Sequence, residues 1–497
     1  MVINLSLVSH TNVGKTTLAR TLLRRDIGEP RDHAHVTETA DAHELLITPE
    51  GDELRLWDTP GLGDSVRLLQ RLRASGNPLG WLQTQVWDRF TDRPFYSSQV
   101  ALKAVREHCD LMLYLVSAAE GPESSGYVAP EMQILGWMDR PVLVLLNQTG
   151  APAGPEATAR ELAAWRAHLQ PYPWVKGVLS LDAFNRCWVQ EDALFEAVQN
   201  ALPAPQAQAM ARLRAAWRSR NLEVLEAAVG LLARPLAQAA TDSEALATPR
   251  DWRQRLGGWI KARVGGAEAD LDPEIAAAMQ ALAQRYDARV RAATNELIRL
   301  HGLAGEAERE IPARLAAAHH AVDQRLDPSK AGLAGAVVSG ALGGLAADLA
   351  AGGLTLGMGA LVGGVVGLLG AAGAAQAYNL ARGAEDGRVR WSHAFLTQRL
   401  EVAVLRYLAV AHFGRGRGNW VQAEDPRAWV DTVHELVTAR AERLEALWTQ
   451  AQGIRPEGDP PVAVIESLCS EIRALVNAAL ARLYPDARAV LEAGPAP

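Results

Sequence analysis

The chain has 497 residues, 48% of them hydrophobic, and its 50 basic and 57 acidic side chains leave a formal net charge of −7. That length exceeds one ordinary domain, and that hydrophobic share excludes a largely disordered polymer, so roughly two or three units with sizeable cores are expected. The charges are mixed without a long basic block, which argues against an extended nucleic-acid footprint and leaves no nucleic-acid partner expected. Cys109, Cys187 and Cys469 are scattered and fit neither a disulfide framework nor a metal cluster. Met1-Val2-Ile3-Asn4-Leu5 reads as a strand and not as a signal peptide, so a cytoplasmic location is expected.

Residues 1–203 alternate apolar β-type runs with helical patterns. Strands are expected at 2–8, 53–57, 110–116, 142–146 and 175–181, which predicts βα units on a mainly parallel sheet with flanking helices. The first strand runs into Ser9-His10-Thr11-Asn12-Val13-Gly14-Lys15-Thr16, followed by a predicted helix over 17–24. This is the phosphate-loop pattern, with Ser9 where a glycine usually stands. Turning backbone N–H groups and the positive end of a helix cradle phosphates, and Gly14 lets the backbone approach closely. Lys15 reaches the β- and γ-phosphates, and the Thr16 hydroxyl suits Mg²⁺. Ser9, Asn12, Val13, Gly14, Lys15, Thr16 and Thr17 are therefore the candidate phosphate-binding residues.

Residues 28–42 are expected to form a first switch, in which Thr37 closes on Mg²⁺ and the γ-phosphate, with Thr39 as its rival. Trp57-Asp58-Thr59-Pro60-Gly61 ends the next predicted strand. An acid there can hold Mg²⁺ through water, and the Gly61 amide can sense the γ-phosphate. The expected metal set is Thr16, Thr37 and Asp58; the expected catalytic pair is Lys15 and Thr37. Residues 66–105 are long for a second switch and carry Trp81, Trp87, Phe90, Phe95 and Tyr96. They read either as a partner surface or as a packed helical excursion. Further on, Asn147, Gln148, Ser180, Leu181 and Asp182 end the last two predicted strands and are the candidate base-side residues.

From 204 to 330 the chain is rich in Ala, Leu, Arg and Glu with helical periodicity. Residues 331–382 form a Gly/Ala-rich apolar unit whose one acid is Asp348. Its two runs, 331–351 and 358–381, each match the ~20 residues that span a bilayer as helix. Gly340/Gly344 and Gly359/Gly363 allow close helix approach, and Arg325, Lys330, Arg382, Arg388 and Arg390 flank the unit. Two readings stand side by side. One is a helical hairpin peripheral to or inserted in an inner membrane, meeting lipid or a membrane-protein partner. The other is a packed pair in a soluble helical core or a self-association element. Amphipathic helices in bundles are expected again over 383–497.

Asn12-Val13-Gly14-Lys15-Thr16-Thr17-Leu18 and Asp58-Thr59-Pro60-Gly61 together resemble the Era/TrmE-like branch of translation-factor-related P-loop GTPases, over residues 2–201. The resemblance implies GTP and GDP as ligands, Mg²⁺ as cofactor and hydrolysis of GTP to GDP and phosphate. In that branch an asparagine at the place of Asn12 often ligates K⁺. Two departures qualify it. Leu62 stands where Ras-like enzymes carry a water-orienting glutamine, which implies slow turnover without an activator. Asn147-Gln148-Thr149-Gly150 stands where the family motif is Asn-Lys-x-Asp, and Gly150 has no carboxylate for guanine. Asp182 either supplies that carboxylate or caps the following helix, so guanine and adenine both remain open.

The order of GTPase domain, helical region, Gly-rich unit and helical region also resembles the bacterial GTPase and domain-of-unknown-function-3482 proteins. Besides the loop, the telling stretches are 181–188 and 351–357. The expected function is a nucleotide-controlled switch on a helical, membrane-associating effector region. Its alternatives are a nucleotide-gated soluble scaffold with negligible hydrolysis and a dynamin-like membrane remodeller.

Overall fold

Leu111–Ser117 and Val142–Asn147 are buried along their whole length, as expected of parallel strands covered on both faces. They form the middle of a six-stranded sheet. In chain order its strands are β1 (Val2–Ser9), β2 (Asp41–Ile47), β3 (Glu53–Asp58), β4 (Leu111–Ser117), β5 (Val142–Asn147) and β6 (Val175–Ser180). The spatial order is β2-β3-β1-β4-β5-β6, parallel except for β2, which runs antiparallel to β3. The computed structural model describes residues 1–24, 40–78, 80, 93–149, 155–183, 187–245, 273–303, 388–413, 427–454, 458–485 and 491.

Alternate residues of each central strand feed different cores, because successive side chains leave a strand on opposite faces. Met112, Tyr114, Val116, Val144 and Leu146 pack with α2 (Ser65–Ala74), α3 (Arg93–His108), α4 (Val128–Gly136) and α5 (Pro155–Leu169). Leu111, Leu113, Leu115, Leu143 and Leu145 pack with α1 (Lys15–Leu23), α6 (Trp188–Ala201) and the start of α7 (Ala204–Thr241). This is a helix–sheet–helix sandwich. The five sequence-predicted strands are all present to within a residue at either end, and the helix expected over 17–24 begins two residues earlier, at Lys15. β2 was not expected. It has one buried residue, Leu45, and takes its pairing from β3 at the sheet edge.

The chain divides into two compact units. One comprises Met1–Glu223, Ala411–Val421 and Leu483–Pro497; the other comprises Val224–Val410 and Gln422–Arg482. Described elements of the second unit include α8 (Pro273–Leu300), α9 (His393–Ala411, up to Val410), α10 (Arg427–Thr438), α11 (Ala441–Gln452) and α12 (Val462–Leu483, up to Arg482). A small antiparallel pair, β7 (Ser243–Ala245) with β8 (Arg388–Arg390), was not expected in this helical region. Arg285 holds the end of α7 beside it through two bonds to Asp242, at 2.8 and 3.0 Å. Tyr286, Trp391 and Phe395 form an aromatic core, with Trp391 stacked on Phe395 at 4.0 Å.

Thr37, Thr39, Trp81, Trp87, Phe90, Gly150 and the whole apolar unit 331–382 lie outside the described residues. Among the described residues no helix is long and apolar enough to cross a membrane.

Candidate functional site

The loop between β1 and α1 leaves the carboxyl end of a central strand, where parallel α/β sheets place their ligand crevices. Asn12 and Gly14 take left-handed backbone angles, with φ of 65° and 94°. Gly14 is required twice over: its φ favours glycine, and a Cβ there would lie 2.7 Å from Asn147 Nδ2. Helix α1 starts directly after it, with the first turn closed by the Leu18 N–H on the Gly14 carbonyl at 3.0 Å.

Lys15 is buried, and its Nζ donates to Ser9 Oγ at 2.8 Å and to the His10 carbonyl at 3.4 Å. Burial pushes its ammonium down to about 8, against the pull of the Asp58 and Glu131 carboxylates. The Thr16 hydroxyl donates to Asp58 Oδ2 at 2.8 Å. Asp58 is itself buried, which raises its carboxyl to about 6 despite the Thr16 bond and the Lys15 charge. Its Oδ1 has no hydrogen-bond partner among the described residues. Two hard oxygen donors side by side, one carrying an unshared buried lone pair, fit the ligand chemistry of Mg²⁺.

The segment after β3 returns to the loop. Thr59 Oγ1 donates to the Leu7 carbonyl at 2.6 Å, and the Leu62 N–H donates to the Ser9 carbonyl at 2.9 Å. Gly61 comes so close that a Cβ would sit 3.0 Å from Thr11 Cα and 3.2 Å from Lys15 Nζ. Leu62 is fully buried in the core beneath α2 and α4, so its side chain has no access to a water beside the loop.

On the other side, Asn147 joins three segments. Its Nδ2 donates to the Val13 carbonyl at 2.6 Å, and its Oδ1 accepts from the Ala183 N–H at 2.8 Å. Gln148 adopts φ 58° and donates to the Asn12 carbonyl at 3.4 Å. Asp182 does not cap the following helix, whose cap position is Cys187. Instead its Oδ2 accepts from both the N–H and the hydroxyl of Thr149, at 2.9 and 3.0 Å. Ser180 ends β6, and the buried Leu181 continues the ladder by donating to the Leu146 carbonyl at 3.0 Å. Ser9, Lys15, Thr16, Asp58 and Gly61 thus gather at one end of the site, and Asn147, Gln148 and Asp182 at the other. Val13 is buried, Asn12 is exposed at the rim, and Thr17 lies inside α1 with its carbonyl accepting from Thr21.

Sequence reasoning missed Glu131, which is fully buried and lies 2.8 Å from His10 Nδ1 while accepting from the Tyr114 hydroxyl at 2.7 Å. The signal was present. Val128, Glu131, Met132 and Leu135 follow the helical spacing of a core stripe, with an acid in one of its positions.

Fold and loop together define the N-terminal unit as an α/β P-loop GTPase domain. Residues 4–148 match the family described as 50S ribosome-binding GTPase. Among solved structures, a complex of Era with MgGDPNP and nucleotides 1506–1542 of 16S ribosomal RNA is 18% identical, with a TM-score of 0.30. An Aquifex aeolicus Era variant bound to GDP and AlF4⁻ is 19% identical, with a TM-score of 0.29. Each match covers 41% of this chain and 57% of the Era chain. No curated protein matches the chain.

Proposed function

We propose that the protein binds GTP with Mg²⁺ through residues 9–16 and hydrolyses it to GDP and phosphate, acting as a nucleotide-controlled switch. The observation that carries this reading is the meeting of three segments. Lys15 Nζ, the Thr16–Asp58 pair and the Gly61 backbone converge beside one glycine-turned loop. Thr16 and Asp58 would hold Mg²⁺, and Thr37 is the proposed third residue of that set. Mg²⁺ bound there would screen the phosphate charges.

Lys15 and the loop N–H groups hold the β- and γ-phosphate oxygens. They offset the charge that gathers on the leaving oxygen as a water oxygen bonds to the γ-phosphorus and the bond to the β–γ bridging oxygen breaks. Leu62 contributes nothing to that water, being buried, so turnover without an activator is slow. K⁺ beside Asn12 is a further element of the proposal, supported by the resemblance and by the exposed rim position of that residue.

Guanine is favoured over adenine because Asn147 keeps its bridging geometry and Asp182 brings a carboxylate to the same end of the site. The effector is proposed to be the helical region, with residues 331–382 meeting lipid or a membrane-protein partner; that part is supported by composition and flanking arginines.

Equilibrium binding of GTP, GDP and ATP to the full chain with Mg²⁺, beside Lys15→Ala, tests the core of the proposal. Guanine-selective binding that falls at least about a hundredfold in the variant is expected. Equal binding of ATP and GTP would remove guanine from it, and binding indifferent to Lys15 would sink it.

A further inference from the structure

Glu131 is a carboxylate with no exposed surface, on a helix that sends Val128, Met132 and Leu135 into the same apolar core. A buried acid is costly unless both of its oxygens are partnered, and here both are. Oε2 accepts from the Tyr114 hydroxyl at 2.7 Å, and Oε1 lies 2.8 Å from His10 Nδ1. The His10 ring is also stacked on Tyr127, with centroids 4.6 Å apart and planes 21° apart. Its orientation is therefore held from two sides by groups on or beside α4.

The backbone of the same residue faces the nucleotide loop. The His10 carbonyl accepts from Lys15 Nζ at 3.4 Å and also from the Ser9 hydroxyl. That hydroxyl, standing where a glycine is usual, in turn accepts from Lys15 at 2.8 Å. His10 further forms an isolated parallel bridge with Leu62, the residue after Gly61. One residue of the phosphate loop thus touches both the 58–62 segment and α4. α2, which follows that segment, packs in the same core as α4, and Arg73 of α2 donates to Gln133 of α4.

We propose that His10 is a positioning residue: by clasping Glu131 it holds the phosphate loop and the 58–62 segment against α4, and this favours the triphosphate over the diphosphate. The inference rests on the reading of residues 9–16 as the nucleotide site. Triphosphate is the form affected because the bridged segment carries Gly61, where a Cβ would sit 3.2 Å from Lys15 Nζ. α4 becomes the element through which the loop's occupancy reaches the α2–α4 surface.

The test uses the full chain with Mg²⁺ and measures GTP and GDP dissociation constants for wild type, His10→Ala, His10→Asn, Glu131→Gln and the His10→Ala/Glu131→Gln double variant, alongside Lys15→Ala. The expected loss is about tenfold for GTP and about threefold or less for GDP in His10→Ala and Glu131→Gln, the scale of one buried polar partner removed. His10→Asn, whose amide nitrogen takes the place of Nδ1 and can still donate to Glu131, recovers most of it. The double variant is no worse than either single one, because both break the same link.

GTP binding unchanged in His10→Ala, equal losses for GTP and GDP, or losses that multiply in the double variant would each overturn the proposal. Should His10→Ala fail to fold, His10→Leu, which fills the space of the ring without a donor, takes its place. Wild-type protein that binds neither nucleotide defeats the reading of the site itself. Loss in Lys15→Ala with an intact His10→Ala defeats only the role given to His10.

Discussion

At the proposed phosphate end of the site, Asn12 and Gly14 turn the backbone through left-handed angles, and beside that loop lie one lysine and one hydroxyl–carboxylate pair. At the base end, Asn147 and Asp182 point their side-chain atoms at the protein's own backbone and at Thr149. The first end depends on chain geometry that few residues can supply. The second depends on side chains that already hold two loops together, so any base they read is read by a scaffold. The difference teaches that phosphate and base recognition should fail separately under substitution.

The largest break in that comparison is expected from Gly14→Ala. It forces a left-handed φ on a residue with a Cβ and pushes that Cβ within 2.7 Å of Asn147 Nδ2. Affinity for GTP and ATP should fall alike, by about a hundredfold, because strain at such a position is about 1–3 kcal/mol before the clash is added. Calorimetric titration of both nucleotides checks this, and a selective loss of one would contradict it.

A smaller effect is expected from Asp182→Ala, which leaves two Thr149 donors without their acceptor at a stability cost of about 1–3 kcal/mol. The ratio of GTP to ATP affinity should move toward one while the dependence on Lys15 persists. Equal losses for both nucleotides would assign Asp182 a purely structural part.

The smallest effect is one of pH. With its ammonium lowered to about 8 in the free protein, Lys15 is charged below that value and increasingly neutral above it. Bound phosphate favours the charged form, so binding takes up a proton above pH 8. Affinity should therefore be flat from pH 7 and fall by up to about tenfold per unit beyond 8. Proton uptake, measured by titration in buffers of different ionisation enthalpy, should be near zero at pH 7 and rise toward one at pH 9. Lys15→Arg, always charged, should lose the dependence.

The buried strands were legible because residues 111–116 and 142–146 are continuous apolar runs, which a two-sided parallel sheet demands. The loop was legible because Gly14-Lys15-Thr16 has to follow a strand and open a helix for backbone amides to converge. The edge strand β2 was not. Asp41-Ala42-His43-Glu44 carries no apolar alternation, and its conformation comes from hydrogen bonds offered by β3. Asp182 was ambiguous between two local parts; the helix after it is capped at Cys187 and its carboxylate is bonded to Thr149, 33 positions away.

By itself, then, the sequence determined the glycine-turned loop between β1 and α1 and the layered α/β domain, since both follow from local order and periodicity along the chain. Only the tertiary structure decided that Asn147 clasps Val13, that Asp182 clasps Thr149 and that His10 meets Glu131 across 121 positions of sequence. The physical reason is that hydrogen bonds between distant segments depend on strand order and register, which no local pattern of residue types encodes.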